Sequence, residues 1–261
     1  MNLILFKESF KLKHLDLRDP RTQHIKKVLK LDQGDIFFIG FVNGERAVAE
    51  IFEIKSDGSI LIKVIKTESI ASLFPVDLLI GLPRPQTAKK VLYEASCFGV
   101  RSLHFFQSDQ TEPSYTQSKL WKNEVYMNYL YKGAEQAFHT HIPKVYFYKD
   151  LVTAESNFTK KFYRIILDNY DGICSLGQFT SKLKLDKPNL IQNDCVLGFG
   201  AERGWSARER ELLKKNNWNL VHLGPRVFRL ESAVISSLSL VADALEFYDK
   251  GTDSSLLDLY N

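Results

Sequence analysis

The sequence predicts an α/β protein with a mainly parallel sheet, preceded by a small β-barrel. Three observations carry that expectation. Short runs rich in Ile, Val and Phe, separated by turn residues, fill residues 1–70. After ASLFP at 71–75 the apolar runs become continuous, as in strands buried on both faces. From there strands alternate with helical stretches, the order of a parallel sheet with crossover helices. The division places a first domain at 1–72, a second at 73–250 and a loose tail at 251–261.

In the first domain the strands are LILF (3–6), DIFFIGF (35–41), AVAEIFEI (47–54) and SILIKVI (59–65). Gly34-Asp35, Asn43-Gly44 and Asp57-Gly58 mark the breaks, and Asn-Gly is a strong hairpin signal. Asp19-Pro20 starts the domain's one helix, which runs through Val28 and Leu29 and ends near Gly34. In the second domain the strands are 76–82, 102–106, 144–148, 162–168, 195–199 and 219–223. Helices are expected over 85–98, 117–138, 206–216 and 231–248, and Ser206 with Glu209 has capping-box spacing.

Composition narrows the function classes. Of 261 residues 44% are hydrophobic and 25% charged, the balance of a globular protein. The net charge of +4 is unevenly placed. Residues 1–31 carry eight Lys or Arg against Glu8, Asp16 and Asp19, or +5, whereas residues 32–73 carry four basic and seven acidic groups, or −3. The basic arm is either a phosphate-contacting surface or a solvated face. The cysteines, Cys97, Cys174 and Cys195, are far apart, which fits reduced thiols. The start MNLILFKESF does not resemble a signal peptide, and no run reaches the roughly 18 apolar residues of a membrane span, so a cytosolic protein without a membrane partner is expected. Neither an early GxGxxG, a GxxxxGK[ST] loop, an HExxH helix nor a GxSxG elbow is present, and six histidines without cysteine partners give no metal site.

Two segments carry chemistry. Leu197-Gly198-Phe199-Gly200-Ala201-Glu202-Arg203-Gly204 leaves a buried strand and enters a helix. Its glycines let backbone approach a ligand closely, although a plain strand-to-helix turn has the same form. Leu223-Gly224-Pro225-Arg226-Val227-Phe228-Arg229-Leu230-Glu231-Ser232-Ala233 again follows a strand. Its two arginines and carboxylate are either a salt-bridge set or a site for a polar or anionic substrate. Both lie at carboxyl ends of strands, where open α/β sheets bind ligands, so they can line one pocket.

These two segments, together with His24-Ile25-Lys26-Lys27-Val28-Leu29 before Gly34-Asp35, and Glu135-Gln136 before Pro143, resemble in order the RsmE-type ribosomal RNA uridine N3-methyltransferases of the SPOUT superfamily. The resemblance covers nearly the whole chain. It implies an α/β fold of the SPOUT kind, with a deep C-terminal trefoil knot, and an N-terminal PUA-like β-barrel that grips RNA. It implies S-adenosyl-L-methionine as cofactor, ribosomal RNA or the small ribosomal subunit as partner, and a homodimer. By that resemblance Leu197, Gly198, Phe199, Gly200, Glu202, Gly204, Leu223, Gly224, Val227, Phe228, Leu230 and Ala233 hold the cofactor. Arg229, with Arg226 in reserve, stabilises charge on the substrate, Glu231 holds an arginine, and Glu202 is a candidate base. Arg18, Arg21, His24, Lys26, Lys27, Lys30, Glu135, Gln136 and His139 are expected to face RNA.

The sequence departs from that pattern in places. Arg203 stands where the family has Gly and Ala201 where it has Pro; Glu94 replaces Lys and Cys97 replaces Glu; Gln110 and His139 replace arginines. Two other readings therefore stay open at this point. One is a divergent RNA-binding paralogue with weak or no transferase activity. The other is an α/β enzyme that uses a nucleotide-like cofactor on a small molecule.

Overall fold

A computed structural model describes residues 3–158, 163–186 and 194–247. The tail at 251–261 and residues 162 and 248 of the expected elements lie outside the described residues. The chain forms two compact units. Met1–Ser72 makes the first together with Ala134–Ile142, and Leu73–Gly133 and Pro143–Gly251 make the second. The expected second domain is thus interrupted by nine residues that pack with the barrel.

The first unit is a five-stranded sheet in the order β1-β3-β4-β5-β2, where β1 is Ile4–Phe6, β2 Leu12–Leu15, β3 Ile36–Phe41, β4 Arg46–Ile54 and β5 Ile60–Glu68. Only the β1–β3 pair is parallel. Alternation sends Phe37, Ile39, Ala47, Ala49, Ile51, Ile60 and Ile62 into one core with Phe6, Leu15 and Ile25. Truncating one of these large residues to Ala would cost about 2–5 kcal/mol. Register shifts between Val48 and Ala49 and between Ile51 and Glu53 bend the long β4–β5 pair, as a curling sheet needs. Strand β2 carries two polar residues in four, so no apolar pattern marked it.

The helix in this unit is shorter and less regular than expected. Asp19 caps α1 (Pro20–Gln23) by accepting from the Arg21 N–H, at 2.8 Å. A π-helical turn over His24–Leu29 follows. It ends at Lys30, whose φ of 56° is left-handed, before Gly34 is reached. The returning segment is fixed by backbone-to-side-chain hydrogen bonds: the Leu5 N–H donates to Glu135 Oε1 at 3.1 Å, and the Ile142 N–H to Asn43 Oδ1 at 2.9 Å.

The second unit is a six-stranded, wholly parallel sheet in the order β11-β9-β10-β6-β7-β8. Its strands are β6 Phe74–Gly81, β7 Val100–Phe106, β8 Lys144–Tyr148, β9 Tyr163–Leu167, β10 Cys195–Phe199 and β11 Asn219–Val221. Helix α2 (Pro85–Phe98) occupies the expected range, with Pro85 at its first position and Gly99 (φ 72°) ending it. The helix expected over 117–138 is instead two 3₁₀ turns (Pro113–Gln117 and Lys119–Glu124) and a shorter α3 (Met127–Gln136). Lys122 is extended and Asn123 and Glu124 are left-handed, which no α-helix accommodates. Two further helices, α4 (Leu151–Glu155) and α5 (Leu176–Asp186), were not marked by the sequence reading. Helix α6 (Ala207–Lys215) starts at the expected capping box, in which Ser206 and Glu209 satisfy each other's backbone N–H groups. Helix α7 (Leu230–Ala244) packs on α2 and α5 over one face of the sheet. On the other face Leu79, Phe106, Ile166 and Val196 form a core with Trp205, Leu213 and Trp218.

Candidate active site

The carboxyl ends of β9, β10 and β11 open into one cleft of about 720 Å³. That is ample for a cofactor of nucleoside size. Three loops wall it. Asp168, Asn169 and Tyr170 follow β9, Gly200–Trp205 follow β10, and Leu223–Leu230 lead into α7. Arg84 and Thr87, at the start of α2, complete the wall.

Glycines set the geometry. A Cβ on Gly200 would fall 2.5 Å from the Gly204 carbonyl carbon, and one on Gly81 would fall 2.6 Å from the Ala201 nitrogen. These loops therefore touch backbone to backbone. A Cβ on Gly172 would fall 2.6 Å from the Asp168 oxygen and 2.7 Å from the Val221 carbonyl carbon. Such crowding of three strand-end loops fits the expected knot. Gly204 (φ 77°) and Gly224 (φ 103°) are different: their left-handed backbone faces open space. The Gly204 N–H closes its turn on the Ala201 oxygen at 2.7 Å, and the Gly224 N–H donates to His222 Nδ1 at 3.0 Å.

Ten of the twelve expected cofactor residues line the cleft: Phe199, Gly200, Glu202, Gly204, Leu223, Gly224, Val227, Phe228, Leu230 and Ala233. Leu197 and Gly198 do not. Both lie inside β10, hydrogen-bonded between β6 and β9, and a Cβ on Gly198 would strike the Ile166 side chain at 2.2 Å. Gly198 is glycine for sheet packing rather than for ligand approach.

Among the expected catalytic groups, Arg229, Glu231 and Glu202 line the cleft, whereas Arg226 is exposed and stands outside it. Glu231 pairs with no described arginine; its carboxylate accepts from Lys90 Nζ at 2.9 Å. Burial pushes that carboxyl up, but the Lys90 hydrogen bond, its own N–H and the charges of Lys90 and Arg229 leave it below the usual range. Glu202 accepts the Arg84 N–H at 2.9 Å, with the Arg84 guanidinium at 3.8 Å. Asp168, missed by the sequence reading, is buried, accepts from Arg210 Nε at 2.5 Å and accepts the Tyr170 N–H at 3.0 Å. The signal for it was the turn-rich Asp168-Asn169-Tyr170-Asp171-Gly172 directly after a strand. Arg229 occupies the N-cap position of α7 without a side-chain capping bond, is exposed, and makes no ion pair with a described residue.

The stretch Ser108-Asp109-Gln110 is tied to the cleft's far wall. Asp109 accepts from Ser206 Oγ at 2.6 Å and from Arg208, which holds its carboxyl below the usual range, and its own N–H donates to buried Glu209 at 3.1 Å. Arg203 reaches the same segment through Glu112, at 3.2 Å.

The residues expected to face RNA divide into two groups. Arg18, Lys27, Lys30 and Gln136 are exposed. Arg21 grips Asp19 with two nitrogens and lies 4.4 Å over the Phe6 ring. Glu135 accepts the Leu5 N–H, and Lys26 reaches the Gly58 carbonyl at 3.4 Å. His24 is half-buried in the π-helical turn. The His139 ring meets the Ala71 carbonyl at 3.1 Å and accepts the His141 N–H at 3.2 Å. Burial above all, and its neighbour His141, lower His139 to about 4. Arg21, Glu135 and His139 thus serve the barrel itself.

His104 in β7 is buried and satisfied. It bonds Ser102 Oγ at 2.8 Å and Tyr148 Oη at 3.0 Å, and burial lowers it to about 4. Among the described residues no group of three His, Cys, Asp or Glu could hold a metal ion, and no helix is long and apolar enough to cross a membrane.

Comparison with known proteins places this architecture. Residues 71–242 match the family described as an RNA methyltransferase domain, and residues 17–65 match an RNA methyltransferase PUA domain. The chain is 31% identical to ribosomal RNA small subunit methyltransferase E of Treponema pallidum, across 92% of this chain and 90% of that one. It is 28% identical to ribosomal RNA small subunit methyltransferase E 1 of Borreliella burgdorferi, across 94% and 99%. The fold matches ribosomal RNA small subunit methyltransferase E of Neisseria gonorrhoeae, solved bound to S-adenosyl methionine (TM-score 0.74, 16% identity, 93% of this chain and 97% of that one). It also matches a putative methyltransferase of Legionella pneumophila in complex with the same cofactor (TM-score 0.75, 20% identity, 93% and 97%). The chain belongs to the RsmE-type family of S-adenosylmethionine-dependent RNA methyltransferases, with the SPOUT α/β-knot fold and a PUA-like N-terminal domain.

Proposed function

We propose that this protein is a cytosolic enzyme that methylates N3 of a uridine in small-subunit ribosomal RNA. One observation supports it most: a cleft of cofactor size, walled by glycine backbone after β10 and β11, with an arginine on its rim that pairs with no described residue. The cleft fits S-adenosylmethionine, which supplies an electrophilic methyl group on a sulfonium. Gly204 and Gly224 present backbone to the space, and Leu223, Val227 and Phe228 give an apolar wall for an adenosine.

Uridine N3 must lose its proton to attack. Each carboxylate on the cleft is already engaged: Asp168 by Arg210, Glu202 by Arg84 and Glu231 by Lys90. We therefore assign the proton to water rather than to Glu202. Glu202 positions Arg84 at the start of α2. Arg229 has its guanidinium to spare, and it stabilises the imide charge that develops on O2 or O4. Walls that hold the two reactants side by side would supply much of the remaining rate.

Two chains are inferred to work as a homodimer. Val227 is 84% exposed and Phe228 42%, beside the catalytic arginine, and a second copy would cover them. Sedimentation at micromolar concentration should give twice the chain mass, and a monomer would remove this part of the reading.

The experiment is isotopic transfer from labelled S-adenosylmethionine to small ribosomal subunits lacking 3-methyluridine, followed by nucleoside mass spectrometry. Labelled 3-methyluridine is the expected product. Label on another nucleoside would move the site, and no label with cofactor still bound would favour the RNA-binding paralogue.

A further inference from the structure

The cleft leaves one aromatic group unexplained. Where a long helix was expected, the chain turns twice between Pro113 and Glu124. Asn123 (φ 51°) and Glu124 (φ 55°) are consecutive left-handed residues, neither of them glycine. Strain of this kind persists where the surrounding packing over-determines it. Here it lays Trp121 and Tyr126 beside Phe147 of β8, the edge strand, at 5.1 and 5.8 Å between ring centres. Buried Phe105 supports Trp121 and Phe147 from below, at 5.3 and 5.8 Å. The indole N–H of Trp121 donates to the Tyr115 carbonyl at 3.1 Å, which fixes that ring. Phe147 stays 47% exposed and Val125 39%.

The segments that carry these rings are of one charge sign. Residues 113–133 and 143–149 carry Lys119, Lys122, Lys132, Lys144 and Lys149 against Glu124 alone. All five lysines are exposed, and none makes an ion pair with a described residue. Lys119 and Lys122 flank Trp121 in the chain and Lys149 lies two residues beyond Phe147, whereas Lys144 alternates onto the other face of β8, with Tyr146 and Tyr148.

We propose that this face binds an unpaired stretch of the RNA substrate. Bases stack on Phe147 and its neighbours, and the lysines take the phosphates. The proposal rests on the RNA methyltransferase reading and adds a contact surface apart from the cleft and the barrel. Charge decides the occupant. Cores of protein interfaces are depleted of lysine. A second copy of this chain on a two-fold axis would bring the same lysines against each other.

The test uses the full chain and two labelled RNAs of equal length, an unstructured oligouridylate and a closed hairpin. Phe147→Ser should weaken oligouridylate binding about tenfold, with hairpin binding and cofactor-induced thermal stabilisation unchanged. Phe147→Trp should restore the loss, which separates stacking from folding. Lys122→Ala with Lys149→Ala should lower the salt slope by about 1.4, at roughly 0.7 per single-strand phosphate. Wild-type oligouridylate binding in Phe147→Ser overturns the proposal. So does a change of oligomeric state in that variant, which would make the face a subunit contact. Wild-type protein that binds neither RNA overturns the methyltransferase reading as well, whereas unchanged binding in Phe147→Ser overturns this surface alone.

Discussion

The cleft and the barrel use their charged residues in opposite ways. In the cleft the shape comes from backbone: Gly81, Gly200 and Gly172 let loops touch, and Gly204 and Gly224 face open space. An exposed arginine on it, Arg229, pairs with no described residue. In the barrel several expected ligands are structural. Arg21 is held by Asp19, Glu135 by the Leu5 N–H and His139 by Ala71 and His141. A polar residue inside a family-like stretch marks a place in the fold. Whether it can meet a ligand depends on the partners it already has.

Four experiments would break or sharpen that contrast. The largest effect belongs to the barrel. Arg46 pairs with Glu68, donates to the Phe138 carbonyl at 2.9 Å and covers the Phe138 ring, with both charged side chains only 11% exposed. Arg46→Ala should cost about 3 kcal/mol in urea unfolding, because it strands a buried carboxylate. Chemistry at the cleft should survive in the protein that remains folded. Nearly as large, Arg229→Ala should lower single-turnover transfer about 100-fold, near 2.7 kcal/mol, with cofactor affinity and melting temperature unchanged. Equal turnover would remove Arg229 from the mechanism.

Smaller is Gly200→Ala, which forces a Cβ against the Gly204 backbone and should cost about 1–2 kcal/mol. Its melting temperature should respond less to cofactor than wild type does. Smaller again, Lys27→Ala and Lys30→Ala should each reduce the salt slope of RNA binding by about 1 and leave stability alone, whereas Arg21→Ala should lose stability instead. The pH dependence adds a check on buried histidines. His104 and His139 are lowered to about 4 by burial, so between pH 6.5 and 4 the unfolded chain binds more protons than the folded one. Stability should therefore fall as pH drops through that window and level off below it, read as melting temperature against pH.

Much of this was legible in the sequence where a local signal and a tertiary role coincide. Helix α2 begins at a proline and ends at Gly99, so both limits could be read. The β10–α6 turn carries a capping box that forms as spaced. Strand β2 was not legible, because half of its residues are polar and it pairs only at the sheet edge. The segment 117–138 was misread for another reason. Its apolar residues fit a helix, yet Phe105 and Phe147, distant in sequence, draw Trp121 and Tyr126 onto the sheet and break it. Asp168 shows the same limit at the site. Its partner Arg210 lies on α6, and nothing near Asp168 in sequence announces that pair.

The central claim is that backbone at the strand ends holds the cofactor independently of the barrel's basic arm. The most direct measurement is thermal unfolding of the full chain against S-adenosylmethionine concentration, with no RNA present. A saturable rise in melting temperature is predicted, with about 2.7 kcal/mol of added stability at 100 times the dissociation constant. The rise should vanish in Gly200→Val and persist in the Lys27→Ala, Lys30→Ala double variant. A wild-type protein indifferent to the cofactor, or a Gly200→Val protein that responds like wild type, would contradict the account.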